Sequence, residues 1–138
     1  MQIDVIHGFL SRSYWSPGIR RDLVEKAIAN SLVLGVFEDA TGAQVAFARV
    51  ITDQATFAYL CDVFVVEGHR GRGLSKEMMA ALLADERLST VRHWVLLTRD
   101  AHSLYAGFGF EPGDPGRMMR LARPKESWQD PRLLNPEG

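Results

Sequence analysis

The densest run of chemistry-bearing residues is Arg70-Gly71-Arg72-Gly73-Leu74-Ser75, placed between an apolar run and an amphipathic one. Glycines at 71 and 73 allow backbone angles closed to other residues and let a ligand approach the main chain. A helix beginning just after them would point unpaired N–H groups and a partial positive charge at that ligand, which suits phosphate. Two familiar phosphate loops do not fit. Counting five on from Gly68 reaches Gly73, but Leu74-Ser75 follow where a Walker A loop needs Lys-Ser/Thr, and Lys76 stands where a dinucleotide loop needs its third glycine. A tight capped connection with no ligand is the plain structural alternative. Nearby, Asp62 interrupts an otherwise apolar run, an expensive place for a carboxylate without a task or a partner. It reads either as a base or as one half of an arginine pair. Cys61 has no His/Asp pattern around it and reads as a structural thiol. His7, His69, His93 and His102 lack metal spacing, so no metal site is expected.

These residues must be positioned by a small domain. The chain has 138 residues, 46% hydrophobic and 24% charged, which is the composition of one globular unit. Sixteen Lys+Arg against 17 Asp+Glu leave no basic excess, so nucleic acid is not an expected partner. A single cysteine excludes an intrachain disulfide framework. No leader-like N-terminus and no apolar run of the ~20 residues needed for a membrane span are present, so a cytoplasmic protein without membrane association is expected. A homodimer is compatible with the sequence.

The order of elements reads β-α-β-β-β-α-β-α-β, opening with a strand at the N-terminus. Ser16-Pro17 reads as a helix start, and Ile19, Leu23, Val24, Ala27 and Ile28 form its stripe. Residues 32–38 and 43–51 read as a hairpin around the Asp39-Ala40-Thr41-Gly42 turn. Residues 57–66 read as a central strand and 74–86 as a helix burying Leu74, Met78, Met79, Leu82 and Leu83. Residues 93–98 form a further strand, 101–107 a short helix, and 118–121 a closing strand. Residues 1–121 are thus expected to form one domain, with 122–138 a tail that Trp128, Leu133 and Leu134 could dock.

The strand Leu60-Cys61-Asp62-Val63-Phe64-Val65, the loop Arg70 to Ser75 and the helix after it resemble motif A of the GNAT superfamily of acyl-CoA-dependent N-acetyltransferases. The family pattern Q/R-x-x-G-x-G/A can be read from Arg70, with Ser75 in the last place, or from Gly68, which is then not Gln or Arg. A second segment, Thr98 to Phe110, is similar to the family's N-x-x-A-x-x-L-Y-x-x-x-G-F, with Ala101, Leu104, Tyr105, Gly109 and Phe110 in place and Thr98 for the usual Asn. The resemblance implies a mixed α/β fold: a mostly antiparallel sheet, helices on both faces, and a central strand pair that splays at the cofactor site.

It also implies roles. The backbone of Arg70, Gly71, Arg72, Gly73, Leu74 and Ser75 would hold the pyrophosphate of acetyl-CoA, and the Arg70 and Arg72 side chains would either add contacts or only solvate the loop. The backbone of Val63, Phe64 and Val65 would pair with the pantetheine arm, one N–H facing the thioester oxygen. Tyr105 would be the general acid for the leaving thiolate, or else a packed aromatic. Asp62 would take the amine's proton directly or through water, and a bulge expected from the family leaves its facing open. Tyr14 and Trp15, in an aromatic loop, would either line the acceptor site or staple the loop to the core. The function implied is acetyl transfer from acetyl-CoA to a primary amine of a small molecule or protein. A non-catalytic acyl-CoA-binding regulatory or interaction domain is the rival.

Overall fold

A computed structural model describes residues 1–134. The chain runs α1 (Ile3–Leu10), α2 (Arg21–Ala29), β1 (Leu32–Phe37), β2 (Gln44–Thr52), β3 (Phe57–Val65), α3 (Leu74–Leu83), β4 (His93–Leu96), α4 (His102–Ala106) and α5 (Pro131–Leu134), with single 3-10 turns at Glu86–Leu88 and Lys125–Ser127. The strands form one sheet in the order β1-β2-β3-β4, antiparallel except that β4 runs parallel to β3.

β2 is the spine, and its alternation builds the core on both faces. Ala46, Ala48 and Val50 point to one side and join Met78, Met79 and Leu82 of α3, with Leu60, Leu88 and Tyr105. Phe47 points to the other side and joins Phe64, Ile6, Leu10 and Val24 beneath α1 and α2.

Four expectations change. The N-terminal strand is instead α1: Ile6 and Leu10 are buried on one helical face against Phe47 and Phe64. Its β-branched residues and Gly8 are weak helix formers, so packing rather than propensity decides the state. The second helix begins at Arg21 rather than Pro17, because Gly18 takes a left-handed φ of 71° and the backbone of Ile19 pairs with Gln129. α3 stops at Leu83, which is exposed, and Asp85 then caps the following 3-10 turn by accepting from the Arg87 N–H at 2.9 Å. Residues 118–121 form no strand, and Met118, Met119 and Leu121 are exposed. That run has no β-branched residue to favour extended pairing.

The tail packs back on the loop before α2. The Arg20 N–H donates to the Trp128 carbonyl (3.0 Å), the Asp130 N–H to the Gly18 carbonyl (2.7 Å), and the Gln129 amide to the Pro17 carbonyl (2.9 Å). The last four residues of the expected tail, 135–138, lie outside the described residues.

Candidate active site

The site begins where two parallel strands part. β3 pairs with β4 from Phe57↔His93 to Leu60↔Leu96 and no further, yet β3 continues beside β2 to Val65. The edge of residues 61–65 that faces β4 therefore has no strand partner, and its backbone groups, other than the Val65 carbonyl that Arg70 engages, are available to an extended ligand. A bulge sits at the same place. Asp62 and Val63 together oppose the single residue Ala48, between the pairs Arg49↔Cys61 and Phe47↔Phe64. Asp62 takes a φ of 53°, the left-handed region that aspartate tolerates better than most residues.

The parting strands open a cleft of about 1150 Å³. Its walls gather residues from four stretches of the chain: Tyr14 and Trp15; Asp62, Val63, Phe64 and Val65; Arg70, Gly71, Gly73, Leu74 and Ser75; and Tyr105. Arg72 alone of the expected site residues does not line it; that side chain is exposed, which fits its solvating alternative.

The glycine loop has the character of an anion cradle. Gly71 and Gly73 have φ of 80° and 76°, and a Cβ built on either would meet nothing within 4 Å. The positive φ, not crowding, demands glycine there, and the open space above is room for a ligand. Gly73 is the N-cap of α3 with no side chain capping it, so the first-turn N–H groups keep their donors free. These features fit the pyrophosphate of an acyl-CoA. Arg70 is exposed, and its Nε donates to the Val65 carbonyl at 3.1 Å, so it ties the loop to the end of β3.

Tyr105 reaches the cleft from the opposite wall. The Thr98 hydroxyl accepts from the Ala101 N–H at 3.0 Å, shaping the turn that starts α4. The Tyr105 ring is 9% exposed and meets Phe110 edge-on at 5.9 Å. Burial pushes its phenol above the ordinary value, so at neutral pH the group is a proton donor.

The third wall is assembled from distant residues. Asp62 accepts from Trp15 Nε1 at 2.9 Å through one oxygen and from Arg49 Nε at 2.8 Å through the other. Arg49 also donates to the Ser31 hydroxyl at 3.1 Å. The Arg49 and Asp62 side chains are only 17% and 11% exposed. Tyr14 meets Trp15 edge-on at 5.1 Å, and the Arg99 guanidinium lies 3.8 Å above the Tyr14 ring. Phe9 stacks on Phe64 at 4.1 Å and continues the aromatic wall. Cys61 is held up to about 11 by burial, and stays a thiol as its sequence context implies.

Sequence reasoning missed Arg49 as the partner of Asp62, and it missed Lys76, Arg99 and Arg120, which line the cleft. A signal existed for the first: Arg49 is the single charge within Val45-Ala46-Phe47-Ala48-Arg49-Val50-Ile51, as Asp62 is in its own strand. For Arg99 and Arg120 the local sequence offers nothing beyond charge.

Splayed strands, a bulge and a glycine loop capping a helix are the features that the GNAT resemblance implies. Residues 29–112, more than half of the chain, match the family model described as an acetyltransferase (GNAT) domain, and the chain belongs to that family. The chain is 49% identical to a provisionally assigned GNAT-family acetyltransferase from Xanthomonas campestris, with a TM-score of 0.85 over 91% of this chain and 88% of that one. It is 29% identical to a provisionally named acetyltransferase of Gibberella zeae, across 76% of this chain and 70% of that protein. A provisionally assigned acetyltransferase from Clostridium acetobutylicum, solved with acetyl-CoA, shares the fold at 16% identity, with a TM-score of 0.64 over 87% of this chain and 89% of that one. No helix among the described residues is long and apolar enough to cross a membrane.

Proposed function

We propose that the protein transfers an acetyl group from acetyl-CoA to a primary amine by direct attack within a ternary complex. The observation that carries this reading is the convergence of three features on one cleft: the glycine loop, the unpaired edge of β3 and Tyr105. The family supplies the reaction class, and the structural relative from Clostridium acetobutylicum was solved with acetyl-CoA.

The N–H groups of residues 70–75 bind the pyrophosphate, and the edge of residues 63–65 pairs with the pantetheine arm. One N–H of that edge holds the thioester oxygen as negative charge develops on it. The amine nitrogen bonds to the carbonyl carbon, the carbon–sulfur bond breaks, and Tyr105 gives its proton to the departing thiolate. No nucleophile with an activating partner is needed in this scheme, and Cys61 as a thiol with a raised pKa is unsuited to a covalent relay.

Asp62 is the open role. Both of its oxygens already accept hydrogen bonds, one from a guanidinium. This supports positioning of the bulge and of Trp15 over direct removal of the amine's proton, which then passes to solvent. Calorimetry with acetyl-CoA and thiol release over a panel of amines test the reading. Binding with amine-dependent thiol release and an acetylated product is expected. Binding without turnover on any amine would leave an acyl-CoA-binding domain instead.

A further inference from the structure

The acceptor end of the cleft has a charge and a geometry of its own. Arg99 follows β4 and Tyr14 precedes α2, so their contact at 3.8 Å joins the two rims of the opening. A guanidinium held over an aromatic ring at this distance loses much of its rotational freedom, and its N–H groups can still donate to a planar or tetrahedral oxyanion. Among the described residues Arg99 has no carboxylate within salt-bridge distance, although Asp100 is its neighbour in sequence. The surrounding charge is mostly positive. Asp62 is neutralised by Arg49, which leaves Arg70, Lys76, Arg99 and Arg120 against Asp100 on the cleft walls. Arg70 and Lys76 flank the glycine loop. Arg99 stands with Tyr14 and Trp15 on the other side.

We propose that Arg99, held on Tyr14, selects an acceptor that carries an anionic oxygen group, carboxylate or phosphate, beside its amine. A cation here attracts such a molecule and repels polyamines, whose extra positive charges meet Arg99 and Arg120 with no free carboxylate but Asp100 to answer them. The charge-assisted bonds that a guanidinium gives an oxyanion correspond to about 10- to 100-fold in affinity. The inference rests on the reading that an amine is acetylated in this cleft, and it adds the class of amine.

The test compares matched acceptors that differ in one charge: amino acids with their amides, phosphoethanolamine with ethanolamine, and spermidine as a polycation. Thiol release is measured for the native protein and for Arg99→Gln, Arg99→Lys and Tyr14→Leu. The native protein is expected to prefer the charged member of one pair by 10-fold or more in kcat/KM, and the pair that shows it tells carboxylate from phosphate. In Arg99→Gln the ratio falls toward one through a rise in acceptor KM, Arg99→Lys keeps part of it, and Tyr14→Leu loses part of it. The acetyl-CoA Kd of Arg99→Gln stays within about 2-fold of native. Equal use of both members, or a ratio that survives Arg99→Gln in a folded variant, overturns the proposal. So does a loss of acetyl-CoA affinity in that variant, which would assign Arg99 to the cofactor. If neutral amines or spermidine are acetylated and the anionic ones are not, this inference falls while amine acetylation stands. If no amine releases thiol, both fall.

Discussion

The two sides of the cleft are built by different means. The side proposed for the cofactor, residues 68–76, is one continuous stretch distinguished by free backbone N–H groups and glycine dihedrals. The side proposed for the acceptor is a composite: Tyr14 and Trp15 from one loop, Arg49 from β2, Asp62 from β3, Arg99 from beyond β4, and residues 128–130 of the tail bracing the loop from behind. A backbone cradle recognises a group common to every acyl-CoA and tolerates little change. A composite of side chains can be altered one residue at a time, which is how one scaffold takes different acceptors.

That contrast can be broken in four places, the largest expected effect first. Tyr105→Phe keeps the ring against Phe110 and deletes only the donor. Turnover should fall by ~10²–10⁴-fold with acetyl-CoA affinity nearly unchanged. The native kcat should also fall as pH rises, but only above pH 10, because burial holds the phenol protonated beyond its ordinary value. Native turnover in the variant would return Tyr105 to a packing role.

Gly73→Val comes next. At a φ of 76° a branched residue is strained whatever the space around it, so the N-cap shifts and the cradle is lost. The acetyl-CoA Kd should rise ~10-fold or more, each tenfold being about 1.4 kcal/mol. An unchanged Kd in a folded variant, read by calorimetry, would detach the loop from the cofactor.

Asp62→Asn sharpens the role left open. Asparagine also tolerates the left-handed region and can still accept from Trp15, but the NH2 that replaces the second oxygen cannot accept from Arg49, so the change removes the charge and one hydrogen bond. Arg49, 17% exposed, loses its counter-charge. Removing one partner of a fully buried pair costs about 3–5 kcal/mol, and the residual exposure here brings the expected loss nearer to about 1–3 kcal/mol. A denaturant melt reads it. Activity per folded molecule should keep its pH profile if Asp62 positions the bulge. A deficit at neutral pH that closes toward the amine's own pKa would make Asp62 the base.

Gly18→Ala probes the brace. Gly18 is buried with a φ of 71°, and an added Cβ would lie 2.8 Å from a Leu134 methyl. Stability should drop by about 1 kcal/mol, and the acceptor KM should rise several-fold as Tyr14 and Trp15 lose their fixed position. Acetyl-CoA affinity should not follow. A parallel loss of both affinities would mean that the two sides are one cooperative unit.

The comparison also explains what could be read without coordinates. The glycine loop, the strand before it, α3 and Tyr105 are local patterns: turn glycines, an apolar run, a helical stripe and one spaced motif, each written within a few residues. The strand hairpin β1–β2 is legible for the same reason, because Asp39-Ala40-Thr41-Gly42 carries its own turn chemistry. Two of the expectations that changed were decided by partners far away in the chain. α1 is helical because Ile6 and Leu10 meet Phe47 and Phe64, against a local preference that reads as strand. α2 starts late because Gln129, more than a hundred residues on, occupies the backbone of Ile19.

The sequence by itself therefore determined the parts that act through main chain and spacing: a glycine-capped helix after a buried strand, and a tyrosine placed to meet it. Tertiary structure alone decided that Asp62 faces Arg49 and Trp15, because a left-handed residue and a two-against-one bulge turn its side chain where strict alternation would not. It alone decided that Arg99 rests on Tyr14, since that contact joins residues 85 apart that no local pattern links. Short-range order is set by dihedral preference and periodicity, whereas the pairing of charges and rings across a cleft exists only after the sheet has closed on its core.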